Sequence, residues 1–115
     1  MDATTADPLV LVLTTEADEG KADALAQALV EQGLAACVSR LPVRSTYRWQ
    51  CQLESAQEVQ LLIKTSRAGW PRLEQGLRAL HSYDTPELLH WEAEASADYG
   101  AWVSESVAQA PQALS

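Results

Sequence analysis

Cys37 and His81 carry the sharpest chemistry in this chain, because a thiol and an imidazole brought together across an interface can hold a soft metal or act as nucleophile and base. Each also has an ordinary role. Cys37 sits among Ala35, Ala36 and Val38 and reads more readily as a small buried hydrophobe, while His81 closes a helix, where a charged ring suits the negative dipole end. Cys51 falls at an expected exposed tip, a thiol open to oxidation or to chance contact with copper. Glu58 and Lys64 bracket an apolar strand and, taken alone, are ordinary strand-end charges; His90 is expected to face solvent or an interface. Glycine-rich phosphate loops, paired zinc ligands and a Ser-His-Asp order are missing from the sequence.

The element that positions these residues is a long hairpin from Ala35 to Thr65, with Tyr47 and Trp49 near its bend. In its returning limb Val59, Leu61 and Ile63 alternate with Gln60, Leu62 and Lys64, so one face is core and the other only partly covered. Pro42 places the outgoing limb at an edge, bulge or kink. Ahead of the hairpin, Leu9 to Leu13 suits a central strand buried on both faces and ending at Thr14 and Thr15. Ala22, Leu25, Ala26, Leu29 and Val30 form one helical stripe, opened by Asp18 and Glu19 and closed by Gly33. Behind the hairpin, Trp70, Leu73, Leu77 and Leu80 mark a second helix with Pro71 in its first turn and Gly76 inside it for close packing. A strand over Glu87 to Glu92, with Leu88 and Leu89 buried, precedes a last helix over Asp98 to Ala108. The domain is expected to span residues 9–108, with a disordered amino end over 1–8 and a fraying tail over 109–115.

Composition narrows the class. A chain of 115 residues supports one two-layer core. Its formal charge of -8, from 16 acidic and 8 basic residues, offers phosphate backbones no broad positive surface, which argues against nucleic acid. Two cysteines without CxxC spacing fit a reducing compartment, and the start of the chain shows neither a signal peptide nor a membrane anchor. A soluble, cytoplasmic protein is the expectation.

Strand, helix, strand, strand, helix, strand and an extra helix give an α+β, ferredoxin-like βαββαβ sandwich, with right-handed crossovers and helices on one sheet face. The other face must meet solvent or another chain, and Tyr47, Trp49 and Trp91 are costly to leave wet. Tyr47 and Trp49 are therefore expected interface anchors in an oligomer.

Four segments carry a resemblance to a known family: Val10 to Thr15 with Ala17-Asp18-Glu19; Leu34 to Val38; Glu58 to Thr65; and Leu80 to Leu88 with Asp98-Tyr99, Trp102-Val103 and Glu105 to Val107. In this order and spacing the chain resembles the CutA family of divalent-cation tolerance proteins. The resemblance implies a compact homotrimer whose hairpins complete neighbouring sheets, similar in architecture to PII signalling proteins and linked to tolerance of copper and other divalent metals. It places Glu58 and Lys64 near subunit clefts with His81 and Tyr83, so the implied binding set is Cys37, Glu58, Lys64, His81 and Tyr83, with His81 the metal ligand. Where metal-binding members carry a further cysteine and histidine, this chain has Thr14 and Leu80, so copper or another divalent cation is expected to bind only weakly. The usual His-Pro-Tyr becomes His81-Ser82-Tyr83, which is expected to loosen a rigid turn, and a tip glycine becomes Cys51. The reading is a non-enzymatic trimer; the alternatives are a PII-like small-ligand sensor and a Cys/His-dependent enzyme.

Overall fold

The computed structural model describes residues 8–108. The expected amino-terminal disorder, Pro8 apart, and the expected tail lie outside the described residues. In chain order the elements are β1 (Leu9–Glu16), α1 (Glu19–Glu31), β2 (Cys37–Trp49), β3 (Gln52–Ser66), α2 (Trp70–Leu80), β4 (Leu89–Ala93) and α3 (Ala97–Ala108). The sheet runs β2-β3-β1-β4 with every neighbouring pair antiparallel, which is the ferredoxin-like order. Among the described residues no helix is long and apolar enough to cross a membrane.

Local chemistry sets the helix limits. Asp18 caps α1 by accepting the Lys21 amide at 2.8 Å, and Gly33, at φ 72°, turns the chain back so that Leu34 and Ala35 donate to the Leu29 carbonyl. The stripe Ala22, Leu25, Ala26 and Leu29 is buried against Val12, Leu61 and Ile63 of the sheet and Leu73 and Leu77 of α2 in one cluster. Gly76 lets α2 pack closely on the segment that follows α1: a β-carbon there would lie 2.5 Å from Leu34 Cδ1.

Three expectations are corrected. β1 runs on to Glu16 rather than ending at Thr14 and Thr15, because Val10, Val12, Thr14 and Glu16 all continue on the core side. β4 is shorter than expected; Leu88 packs partly on the core, but Leu89 is 51% exposed, since it stands opposite Leu13 on the face turned away from α1 and α2. The helices do not keep to one side. α3 contacts β1 and β3, and its buried Val103 and Val107 stand apart from the main cluster, as does Leu9, whose parity is opposite to Val10. α3 thus covers part of the second face.

The hairpin outruns the sheet. The last row shared with β1 is Glu16 opposite Val59, yet β2 and β3 stay paired, without a break at Pro42, out to Trp49 opposite Gln52. Pro42 is tolerated because β2 is an edge strand. The arm explains why the radius of gyration, 15.5 Å, exceeds the roughly 13 Å of a compact chain of about 100 residues. At its tip Gln50 and Cys51 both take positive φ, 51° and 64°, the geometry of a tight two-residue hairpin turn, held here without glycine.

Candidate functional site

The chain's polar interior is concentrated where β1 ends. Thr14 and Glu16, two apart on one strand face, are 0% and 1% exposed. α2 delivers His81 to them: the residue leaves the helix in extended conformation, its amide still bonded to the Leu77 carbonyl, and its side chain is fully buried. The Tyr83 amide donates to His81 Nδ1 at 3.0 Å. A backbone N–H can only donate, so the ring proton sits on Nε2 and goes to Thr14 Oγ1 at 3.0 Å. His81 is therefore held on both ring nitrogens, by Thr14 and Tyr83, with Nδ1 also 3.5 Å from Glu16 Oε2.

Glu16 organises the following turn. Its Oε2 accepts the Ser82 amide at 3.0 Å, and its Oε1 accepts the Ser82 hydroxyl and the Ala17 amide. Serine in place of proline does not loosen this turn. Proline has neither the N–H nor the hydroxyl that Glu16 receives here, so the serine exchanges ring rigidity for two hydrogen bonds. Beyond it, the Tyr83 ring lies 5.1 Å from the His81 ring, and its hydroxyl donates to Glu58 Oε2 at 2.7 Å. Glu58 lines a cavity of about 530 Å3 between the β1–α1 turn (Ala17 to Glu19) and the root of the arm, with Arg44 and Gln57 also on its wall.

Burial first, then the hydrogen bond to Glu58 and that carboxylate's charge, hold the Tyr83 phenol protonated well above the ordinary tyrosine range. The unfolded chain releases this proton near the ordinary value of 10.0, before the folded one does, so this contribution to stability is complete below that pH and is lost as pH rises past it. Tyr83→Phe is expected to flatten the alkaline fall in melting temperature and to cost about 1 kcal/mol near neutrality. The phenol of Tyr99, also raised, first by burial, keeps part of the slope. Unchanged alkaline slopes in the variant would separate Tyr83 from this effect.

The implied binding set divides in two. His81, Tyr83 and Glu58 meet at the arm's root, whereas Cys37 and Lys64 face each other across β2 and β3 further along the strands, within the sheet, with Lys64 Nζ 3.7 Å from the sulfur. Within the protomer Cys37 and His81 do not meet, and a fully buried imidazole with both nitrogens engaged presents no atom to a thiol of another copy. Cys51 is exposed at the tip; His90, also exposed, packs its ring 4.3 Å from that of Trp70. Sequence reading missed Glu16 and Ser82 as site residues. The parity of Val10, Val12 and Thr14 would have put Glu16 in the core, where a carboxylate requires donors.

The donors do not fit a resident copper site in a single chain. His81 coordinates a metal only by giving up Thr14 or Tyr83, Glu16 is saturated with donors, and among the described residues no three His, Cys, Asp or Glu side chains converge. What the arrangement provides is a rigid polar wall to a small-molecule-sized cavity, with Asp18, Glu19 and Glu58 set against Arg44.

A ferredoxin-like α+β domain with a projecting two-stranded arm and a polar cavity at the arm's root is the class that fold and site define. The profile of the CutA1 divalent ion tolerance proteins matches residues 10–106, and the chain belongs to that family. It is 41% identical to the divalent-cation tolerance protein CutA of Thermus thermophilus over 84% of this chain and 95% of the other. The structure of CutA from Synechococcus elongatus is similar at a TM-score of 0.84 and 43% identity, covering 90% of this chain and 92% of that one. The periplasmic divalent cation tolerance protein CutA of Archaeoglobus fulgidus gives 0.82 and 28%, covering 86% and 98%.

Proposed function

We propose that this protein acts in divalent metal tolerance, copper included, as a non-enzymatic homotrimer of the cytoplasm that takes a small ligand or a metal weakly at clefts between subunits. The observation that carries the reading is the Tyr83–Glu58 bond at the rim of the cavity: Glu58 is pinned by a phenol at the root of an arm that a neighbouring copy would have to pass. Membership of a divalent ion tolerance family supports the metal response, and two free thiols suit a reducing compartment. Weak metal contact follows from the donor set, since exposed carboxylate oxygens are poor ligands for copper.

The test has two arms. In cells lacking their own CutA-type protein, the wild-type chain is expected to restore growth on copper, and a Tyr83→Phe/Glu58→Gln chain to restore it much less. Full rescue by that variant would remove the cleft from the function. In titration calorimetry, copper added to the Cys51→Ser protein is expected to bind no tighter than micromolar; a nanomolar site would show that a strong metal centre is built in.

A further inference from the structure

We propose that Cys37 and Lys64 form a peroxide-triggered covalent cross-link, a reversible sulfur–nitrogen bond that ties β2 to β3 and spares the thiol from over-oxidation. The two residues are direct partners in the strand register, both on the face away from the main cluster, since Val38 and Ile63 occupy the core side. Lys64 Nζ donates to Cys37 Sγ at 3.7 Å and also to Ser39 Oγ on the same face. Among the described residues no carboxylate pairs with Lys64, so its side-chain nitrogen is shared between the Ser39 hydroxyl and the sulfur. Cys37 is half-buried, open to a molecule the size of peroxide, and Tyr99 of α3 is within electrostatic reach of it. Cys51 offers an internal contrast: it is fully open at the arm's tip, with no side-chain partner among the described residues.

The geometry lets one lysine serve both steps. The Cys37 thiolate attacks hydrogen peroxide, forming an S–O bond and breaking O–O; the departing hydroxide takes a proton from the Lys64 ammonium and leaves as water. The sulfur is now a sulfenic acid, oxidised by two electrons at the peroxide's expense, and the lysine is a neutral amine one contact away. The amine nitrogen attacks the sulfur, S–N forms, S–O breaks, and the hydroxide leaves with an amine proton as a second water. Sulfenic acids close onto backbone nitrogen in the same way. The net change is thiolate, ammonium and one peroxide giving the S–N link and two waters; an added dithiol reverses it by attack on the sulfur. The inference does not depend on the proposed metal function.

The full-length Cys51→Ser protein, treated with a small excess of hydrogen peroxide, keeps Cys37 as its one cysteine, so no disulfide can form within a chain and one between chains shows as a doubled mass. Intact mass is expected to fall by two hydrogens, trypsin is expected to stop cutting after Lys64, and the Cys37 and Lys64 peptides are expected to run as one species that dithiothreitol separates. Lys64→Arg, which keeps the charge, is expected to lose the link and leave a sulfenic acid at Cys37 that dimedone traps. Cys37→Ser is expected to lose both. The proposal is overturned if Cys37 stays a thiol under peroxide, or goes on to sulfinic acid with Lys64 still cleavable. It is also overturned if Lys64→Arg gives the same mass loss.

Discussion

Glu16→Ala is expected to lower the unfolding free energy by about 3 kcal/mol, read as a shift of the urea midpoint at unchanged slope. The side chain is 1% exposed and receives three donors, two of them from Ser82. Removing it takes the acceptor from the Ser82 amide and hydroxyl, and each part-buried hydrogen bond lost from a charged group costs about 1 kcal/mol or more. Loss of the side chain's packing adds to this. Glu16→Gln separates the contributions: the amide oxygen still accepts, but the amide nitrogen meets Ser82 donors, so an intermediate loss of about 1–2 kcal/mol is expected. The damage is expected to spread along the chain, because the Ser82 turn sets the Tyr83 amide on His81 and the Tyr83 hydroxyl on Glu58. Hydrogen exchange at the Tyr83 amide is therefore expected to accelerate in both variants. A Glu16→Ala protein within about 0.5 kcal/mol of wild type would mean that the turn is held elsewhere.

That cluster also marks where sequence reading stops. The frame was legible wherever a period or a cap carries it: Val59, Leu61 and Ile63 alternate into the core, Asp18 and Gly33 bound α1, and the crossover order dictates the sheet. Boundaries and faces slipped where the signal is tertiary. Leu89 is apolar like Leu88, yet only the register of β4 against Leu13 turns it outward. Tyr99 and Trp102 repeat at helical spacing, which says that α3 has a face but not which side of the sheet receives it. At the site, the residues that resemblance singles out stand in two separate places, because β3 carries Glu58 past the end of β1 while Lys64 lies within the sheet. The role of His81 could not be read from its position at a helix end, since the Tyr83 amide that fixes its tautomer comes from a turn whose path depends on Glu16.

Trp49→Glu is expected to turn the proposed homotrimer into single chains of 12.5 kDa at micromolar concentration, against three times that mass expected for the wild type in sedimentation or light scattering. Beyond Val59 the arm has no third strand, and an isolated two-stranded ribbon is marginal in water. Tyr47 and Trp49, two apart and so on one face, are 43% and 61% exposed in the lone subunit. A tryptophan has roughly 200 Å2 to bury, so covering the exposed part of Trp49 would stabilise the proposed trimer by about 3 kcal/mol per copy, or about 9 for three copies. Glutamate forfeits that and adds a charge with no partner in an apolar contact, at further cost. The sandwich itself is expected to survive, because Trp49 lies well past the last row shared with β1, so circular dichroism should match the wild type. The same substitution is expected to strip the cleft of its neighbour and abolish whatever binding the assembled protein shows at Glu58 and Tyr83. A variant that keeps the wild-type mass would show that the arm's aromatic face is not the contact. A wild-type protein already folded as a single subunit would remove the trimer, and with it the reason for two aromatic rings at the end of an arm that its own core does not touch.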